Sequence, residues 1–374
     1  MYSGSRTVFV LAIISNVSAA FFTKNKLIKI GIFSIVALAI LIIGIFTLTT
    51  ENNILNRFTS FSFKESTFIG RILYFYDALP LILKHPFGLG YRGYYYIQQE
   101  IQTGVYSVAF VHNDFLQMML DIGWIPSITL VIAVLKPIFN KNNTAIRRII
   151  LITMFLHSCF DFNLQFVSVF FLYMLFTEIN EGKCITIEKN IAVINFSSVT
   201  LCLISLYMAI PLTLSNFGAY ESASALYPYN TQNETFLLSL IEDEEKAKIK
   251  ADKILDRNPY ITLAYSVRSR YYYSQGDFNS LIRTKNNIFE KFPFQYPEYE
   301  EYCYMLINGI SLYRQTGDYD SADFCCKELL NTSLKLKDST KKLSKLGKMI
   351  KDQPITELPE DITDYINNLE ISNE

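Results

Sequence analysis

Charged residues are scarce in this chain. They make up 18% of its 374 residues, whereas a soluble domain is typically about a quarter charged. The deficit is uneven, because residues 7–213 hold several long apolar runs, whereas residues from about 215 to 374 are polar and charged. The formal net charge of −1 also lacks the basic excess that binding to nucleic acid requires. The composition therefore indicates a membrane protein with a polar tail and no nucleic-acid partner.

Residues that bind metals are also few. The chain has three histidines and six cysteines, with no CxxC pair and no second histidine at ligand spacing. We therefore expect no metal ion and no cofactor. Cys325 and Cys326 are adjacent, which disfavours a bond between them, although Cys303 could form a disulfide with either. The start of the chain lacks the features of a signal peptide.

Apolar runs of about twenty residues are long enough to cross a bilayer as helices. Six runs are candidates, of which the fourth and fifth are short: 7–22, 28–48, 115–135, 148–161, 163–179 and 191–213. We therefore predict an all-α protein. A polytopic transmembrane helix bundle would occupy residues 1–214, a soluble α-helical repeat-like domain residues 215–345, and a polar C-terminal tail, expected to fray, residues 346–374.

Positive residues in short loops mark the cytoplasmic side of a membrane. If the helices alternate in direction, three basic loops share one side, through Lys24, Lys26, Lys29, Lys136, Lys141, Arg147, Arg148, Lys183 and Lys189. The loop 49–113, the turn near Asp161 and the tail are then extracytoplasmic. Arg6, Arg71 and His112 share that outer side.

The loop 49–113 is too long to be a simple connector, and its many aromatic residues argue against disorder. Residues 70–84 have the pattern of an amphipathic helix at the membrane interface, with Arg71 near its start. Residues 88–93 formally match GxGxxG, but no βαβ unit surrounds them. These glycines are better explained as residues that permit a sharp turn.

His112 stands where this loop runs into the third apolar run. A histidine in such a position is often only a satisfied interfacial residue. Against that interpretation, Asn113, Gln117 and Asp121 are spaced at i, i+4 and i+8, which forms a polar stripe on an apolar helix. A carboxyl group inside a span is costly and usually has a functional or helix-pairing role. Gly123 would let this helix bend.

Arg6 and Arg71 have two possible roles. Arginine at the end of a span is most often an interface anchor. Its guanidinium is also suited to a bidentate grip on phosphate. Together with His112, the two arginines therefore predict a site for a lipid-linked diphosphate. A Ser-His-Asp hydrolase has no GxSxG motif to support it.

The order of the motifs over about residues 1–180 resembles the O-antigen ligase/polymerase family. The motifs are Ser5-Arg6, Arg71 with its helix, His85-Pro86-Phe87-Gly88-Leu89-Gly90, His112-Asn113-Asp114-Phe115-Leu116-Gln117, Asp121-Ile122-Gly123 and His157-Ser158-Cys159-Phe160-Asp161-Phe162. The resemblance implies an inverting, metal-independent membrane glycosyltransferase. Such an enzyme moves a glycan from undecaprenyl diphosphate to an acceptor hydroxyl at the periplasmic face of the bacterial inner membrane. The implied partners are the lipid-linked glycan, a glycan or lipid A-core type acceptor, and inner membrane lipids.

The resemblance also implies roles for single residues. Arg6 and Arg71 would neutralise the diphosphate leaving group. His112 would orient or deprotonate the acceptor hydroxyl, and histidine is the side chain whose protonation changes nearest neutral pH. Asn113 and Asp121 would support His112 or its helix. Members of the family usually carry more spans, so this chain is expected to begin at a middle span.

Residues 215–345 contain two turns of similar sequence, Gln275-Gly276-Asp277-Phe278 and Thr316-Gly317-Asp318-Tyr319. Each follows a tyrosine-rich helical pattern and precedes another helix, which resembles degenerate tetratricopeptide-like repeats. Helix-pair repeats usually bind a protein partner or cap a fold. The tail is therefore expected to dock a protein partner or the acceptor.

Two hypotheses remain. The chain is a glycan ligase or polymerase, or it is a non-catalytic membrane-anchored helical-repeat protein, or an inactive fragment, that binds a protein partner. Ligase, polymerase and protein-directed oligosaccharyltransferase share these motifs. A transporter finds less support, since no inverted repeat is visible.

Overall fold

The computed structural model describes residues 6–49, 66–140, 143–177, 191–350 and 357–373. Regular structure in these ranges is helical and contains no strand, so the all-α prediction is confirmed. The α-helices, numbered in chain order, are α1 (Arg6–Phe22), α2 (Lys26–Thr49), α3 (Ser66–Lys84), α4 (Gly93–Ile101), α5 (Asp114–Ile122), α6 (Trp124–Phe139), α7 (Ala145–Ser158), α8 (Val167–Thr177), α9 (Ile191–Asn216), α10 (Tyr220–Leu226), α11 (Thr231–Ser239), α12 (Glu244–Arg257), α13 (Thr262–Ser274), α14 (Phe278–Lys291), α15 (Tyr296–Thr316), α16 (Tyr319–Lys341) and α17 (Glu360–Asn373).

The chain forms two compact units. The first comprises Met1–Gly182 together with Ser344–Gln353, and the second comprises Lys183–Leu343 together with Pro354–Glu374. The division expected near residue 214 follows the change in composition, whereas the compact units follow packing. As a result, α9 belongs to the second unit, and a short segment from near the end of the chain belongs to the first.

One helix in the described ranges is long and apolar enough to cross a membrane by length and composition, namely Ala192–Asn216. It coincides with the sixth predicted span. Leu11–Phe22, Trp124–Phe139 and Val167–Phe176 are apolar but shorter. The helices α1, α2 and α7 lie where the first, second and fourth spans are predicted. The six-span bundle itself stays a prediction.

The third predicted span, 115–135, is wrong as a single helix. Gly123 separates α5 from α6, and its backbone has φ +92° and ψ 158°, a conformation essentially confined to glycine. A Cβ atom on Gly123 would lie 2.0 Å from the carbonyl oxygen of Pro86. The helix breaks here because the turn after α3 packs against it, and an apolar pattern carries no sign of that contact.

The outer loop folds around α3, as predicted, and around α4, which its aromatic run did not reveal. Gly88 and Gly90 have positive φ values of 79° and 83°, so the interpretation of these glycines as turn residues is confirmed. Buried residues of α3, α4, α5 and the segment between α4 and α5 form a common core: Ala78, Leu81, Ile82, Tyr94, Val111 and Leu120.

A second core of the first unit joins α6, α7 and α8 through Ile138, Leu151 and Tyr173. The helix α1 packs against α7 and α2. The helix α7 ends at Ser158, so the fourth predicted span ends earlier than expected and Asp161 lies in the turn that follows. Of the predicted basic loops, Lys141, Lys183 and Lys189 lie outside the described residues.

In the second unit, successive helices from α12 to α14 pack against each other, as do α15 and α16. Asn258, Pro259 and Tyr260 lie in the turn between α12 and α13. Lys285 is fully buried, and its Nζ donates to Glu298 (2.8 Å) and Glu301 (2.6 Å). This arrangement satisfies a charge that would otherwise be costly to bury.

Two expectations about the tail are wrong. Cys303, Cys325 and Cys326 are all free, so the suggested disulfide is not formed. The C-terminal end is also not a fraying polar tail. The helix α17 buries Ile362, Ile366 and Leu369, and this i, i+4 spacing with one further step of three gives a short apolar face that the surrounding charges masked.

Candidate active site

His112 is held in an unusual backbone conformation. Its φ is +53°, in the left-handed region that few non-glycine residues adopt. The preceding Val111 N–H donates to Oε1 of Gln117 (3.1 Å), and Nε2 of Gln117 donates to Oδ1 of Asp121 (2.9 Å). Strained residues that the surrounding contacts hold in place cluster at functional sites.

The side chain of His112 is paired with Asp161. Nδ1 of the imidazole lies 3.3 Å from Oδ1 of the carboxylate. Since a carboxylate can only accept, this bond requires a proton on Nδ1, so that in the neutral imidazole Nε2 is the acceptor. The two side chains are 28% and 21% exposed, so the pair is sheltered and still open to a substrate.

Asp161 is set up to remain ionised. Burial by itself would raise the pKa of Asp161, but the hydrogen bonds from His112 and from the Phe162 N–H, together with the charge of Arg71, outweigh it and lower the pKa below its usual value. The Arg71 guanidinium is thus close enough to act on this carboxylate. The structure therefore brings together His112, Arg71 and the turn around Asp161, three parts of the sequence that are far apart.

The turn that carries Asp161 is tied to the start of α5. Oδ1 of Asn113 accepts from Phe115 N and Leu116 N, both at 3.0 Å, and so caps the helix. Nδ2 of Asn113 donates to the carbonyl of Cys159 (2.9 Å). Asn113 therefore links the helix that follows His112 to the turn that holds its partner.

Asp114 makes a second link between the same two segments. It is 1% exposed, and its carboxylate accepts from Asn163 N and Leu164 N, both at 3.0 Å. Together the bonds of Asn113 and Asp114 fix the distance between His112 and Asp161. Asn113 caps the helix, and the adjacent Asp114 binds the turn.

Aromatic rings surround the histidine. The Phe162 ring meets the His112 ring edge-on, with centroids 4.9 Å apart, and the Tyr74 ring lies 6.5 Å away. Phe110 stacks on Phe162 at 5.2 Å. These contacts restrict rotation of the imidazole, so its free Nε2 keeps one direction.

Arg6 stays a predicted site residue, whereas Asp121 is not brought to this group. Arg6 is the first residue of α1, and its side chain, like Ser5, lies outside the described part. Asp121 bonds to Gln117, and its backbone carbonyl accepts from Gly90 N (3.0 Å). It therefore reaches His112 only through Gln117 and the backbone of Val111.

The pairing of His112 with Asp161 and the buried role of Asp114 were not predicted from the sequence. A signal was present for the first, because Asp161 is the polar residue between two apolar runs predicted to turn on the outer side. No group of three or more His, Cys, Asp or Glu side chains in the described ranges is arranged to hold a metal ion.

Comparison with known proteins gives one match. Residues 1–131 match the family model described as O-Antigen ligase. These residues include α1, α3, His112 and Arg71, and they exclude the turn at Asp161. No curated protein and no solved structure matches the chain. The family match supports a membrane enzyme that acts in the transfer of lipid-linked glycan, in general terms.

Proposed function

We propose that this chain transfers a glycan from undecaprenyl diphosphate to an acceptor hydroxyl at the periplasmic face of the bacterial inner membrane, as the match of residues 1–131 to the O-antigen ligase family model suggests. The observation that carries the proposal is the pairing of His112 with Asp161, whose pKa is lowered in part by the charge of Arg71. A base and an anion-binding cation at one place are what glycosyl transfer from a diphosphate needs.

The reaction follows from this arrangement. Nε2 of His112 accepts the proton of the acceptor hydroxyl as its oxygen attacks the anomeric carbon. The bond from that carbon to the diphosphate breaks on the opposite face, which inverts the configuration, and the electron pair leaves with the diphosphate. Arg71, and Arg6 if its side chain reaches the site, stabilise that negative charge. The Asp161 carboxylate stabilises the imidazolium that forms.

The bundle around the site is proposed to be polytopic, with the active site on the outer side. The contact between the segment of His112 and the turn of Asp161 supports this, because the charge pattern assigns both to one side. Asn113 and Asp114 then hold two extracytoplasmic segments together. Asp121 acts on His112 indirectly, because it accepts a hydrogen bond from the Gln117 amide, which in turn holds the backbone of Val111.

The second unit is proposed to dock a protein partner or the acceptor, as its helix pairs suggest. A non-catalytic membrane-anchored repeat protein is the alternative function, and the helical tail is what favours it. Glycosyl transfer requires the base His112 and the cation Arg71 in the first unit, whereas a binding function does not require either.

Alanine substitutions at the native locus separate these functions. We expect His112→Ala and Arg71→Ala each to reduce surface glycan, with the histidine change slowing transfer by about 100-fold or more, the usual contribution of a general base. His85→Ala and Lys84→Ala are matched controls. They remove a histidine and a cation at the other end of α3, about 20 Å along the helix from Arg71.

The form of the residual glycan identifies the reaction. Polymer left on the lipid carrier indicates a ligase, whereas single repeat units on the acceptor indicate a polymerase. Unchanged surface glycan on a gel, with normal protein levels for both variants, would overturn the catalytic proposal in favour of the binding one.

A further inference from the structure

A short segment near the end of the chain folds onto the outer loop. Residues 344–350, which we name the strap, lie in the same compact unit as that loop. Ser344 N–H donates to the carbonyl of Thr103 (2.9 Å), and the Ser344 hydroxyl can donate to Oγ1 of Thr103, 3.1 Å away. The strap is therefore bonded to the loop by both backbone and side chain, across 241 positions of sequence.

Two glycines make the contact between the strap and the loop unusually close. A Cβ atom on Gly347 would lie 2.2 Å from the Thr103 carbonyl oxygen, and one on Gly104 would lie 2.7 Å from Cα of Gly347. Neither glycine has a positive φ, so their turns do not require glycine. Glycine is required because the two backbones lie so close together that a side chain on either residue would collide with the other segment.

The strap also buries apolar side chains. Ile350 is 7% exposed and packs in a core with Ile69 and Leu73 of α3 and with Tyr106, while Leu346 borders the same core. Arg71 is two residues from both Ile69 and Leu73, which is about 200° around the helix axis. The strap therefore packs on the side of α3 that faces away from Arg71.

A buried carboxylate connects the strap to α3. Asp77, 3% exposed, follows Leu73 by one turn on the same face. Its carboxylate accepts from Thr103 N (2.9 Å), Thr103 Oγ1 (2.8 Å) and the Tyr106 hydroxyl (2.9 Å). The hydroxyl of Thr103 thus lies between Asp77 and Ser344, so the strap, the loop and the helix share one polar network.

We infer that the strap is a structural part of the outer loop and positions Arg71 by packing against the opposite face of α3. Residues from near the end of the chain then support the helix that carries Arg71. This inference stands on the contacts above and does not need the proposed glycosyl transfer to be correct.

A cysteine pair tests whether the strap occupies this position in the membrane-embedded full chain. The Thr103→Cys and Ser344→Cys pair should form an intramolecular disulfide with diamide as oxidant, because the native Oγ atoms are 3.1 Å apart. After limited cleavage within the tail, the fragments should stay joined until they are reduced. Each single cysteine variant is the control for the native thiols. Failure of the pair to cross-link overturns the inference.

Hydrogen exchange then tests the positioning role without relying on activity. Gly347→Ala should raise deuterium uptake over residues 66–84 and 102–108, whereas Lys348→Ala, an exposed neighbour, should not. Ser344→Ala is a milder change that keeps the experiment informative if Gly347→Ala does not accumulate, and it should raise uptake at residues 102–108. Unchanged uptake in both variants, despite the cross-link, shows that α3 does not depend on the strap.

If the proposed transfer is also correct, Ser344→Ala should raise KM for the lipid-linked donor more than KM for the acceptor, because Arg71 binds the donor. An equal effect on both overturns the positioning role. Absence of any transfer by the native chain bears on the proposed function, and the cross-link and hydrogen exchange still decide the strap.

Discussion

At the scale of single residues, the site depends on how one carboxylate directs one imidazole. Asp161 accepts from Nδ1 of His112, so the tautomer with a free Nε2 is favoured. This pairing joins two loops that the sequence keeps apart. His112 keeps its left-handed backbone conformation because hydrogen bonds of Asn113 and Gln117 hold the chain on either side of it.

Replacing Asp161 by asparagine tests this direction of the imidazole. An amide has nearly the same shape, but it carries no charge to stabilise the imidazolium and can present a donor to Nδ1. We expect Asp161→Asn to lower the transfer rate by about 10- to 100-fold while leaving KM for the donor almost unchanged. Asp161→Ala should be at least as harmful. A rate equal to that of the native chain in Asp161→Asn removes Asp161 from the mechanism.

The lowered pKa of Asp161 also predicts a pH dependence of stability. A carboxyl group whose pKa is lower in the folded state stabilises that state at pH values above its unfolded pKa, near 3.9. The contribution is lost as the pH falls through the folded-state pKa. The difference in melting temperature between the native chain and Asp161→Asn should therefore shrink as the pH falls below about 4. A difference that stays constant or grows below about pH 4 contradicts the ion pair.

At the scale of elements, the break between α5 and α6 shapes the outer loop. Gly123 packs against Pro86, and Leu89 N donates to the Leu120 carbonyl (2.7 Å). The turn after α3 therefore rests on the end of the helix that begins beside His112. This helix, α5, is nine residues long, so the turn at its C-terminal end is connected to the His112 segment at its N-terminal end.

Two glycines of this region form a matched pair for mutation. Gly123 and Gly90 both have positive φ, but a Cβ on Gly90 meets nothing within 4 Å, whereas one on Gly123 collides with backbone. We expect Gly90→Ala to cost only backbone strain, about 1 kcal/mol. Gly123→Ala should cost at least about 2 kcal/mol more. The measurement is the melting temperature in detergent, and equal losses would show that the packing of the turn is unimportant.

Local patterns predicted some elements and not others. The apolar runs and amphipathic spacing located α3 and α9, and glycine chemistry located the turn at Gly88. The helix α4 was hidden in an aromatic run, and the break at Gly123 comes from contact with a turn about thirty-five residues earlier in the chain. Contacts between distant segments decide such features, and one sequence read by period cannot show them.

The same limit applies to the site. His112 and Arg71 were recognisable because their residue types suit a base and a phosphate-binding cation. The pairing with Asp161 and the contact of Gly104 with Gly347 needed coordinates, since nothing in local sequence specifies a partner 49 or about 240 residues away. The position of Arg6 stays a prediction.

In the whole molecule, we expect the outer loop and the tail to share one side of the membrane. Single cysteines at the exposed Tyr91 in the outer loop and Phe324 in the tail should react with a membrane-impermeant thiol reagent applied from outside the inner membrane. A cysteine at Lys136 should react only after the membrane is permeabilised. The physical reason is the bias of lysine and arginine toward the cytoplasm. Labelling of Lys136→Cys from outside contradicts the proposed topology.

The central claim is that His112 acts as the base for glycosyl transfer from a lipid-linked diphosphate. Its most direct test is the release of undecaprenyl diphosphate by the purified full chain in proteoliposomes that contain the lipid-linked donor and an acceptor glycan. We expect acceptor-dependent release by the native chain and release at least about 100-fold slower by His112→Ala, with His85→Ala unaffected. Equal rates for the native chain and His112→Ala would contradict it.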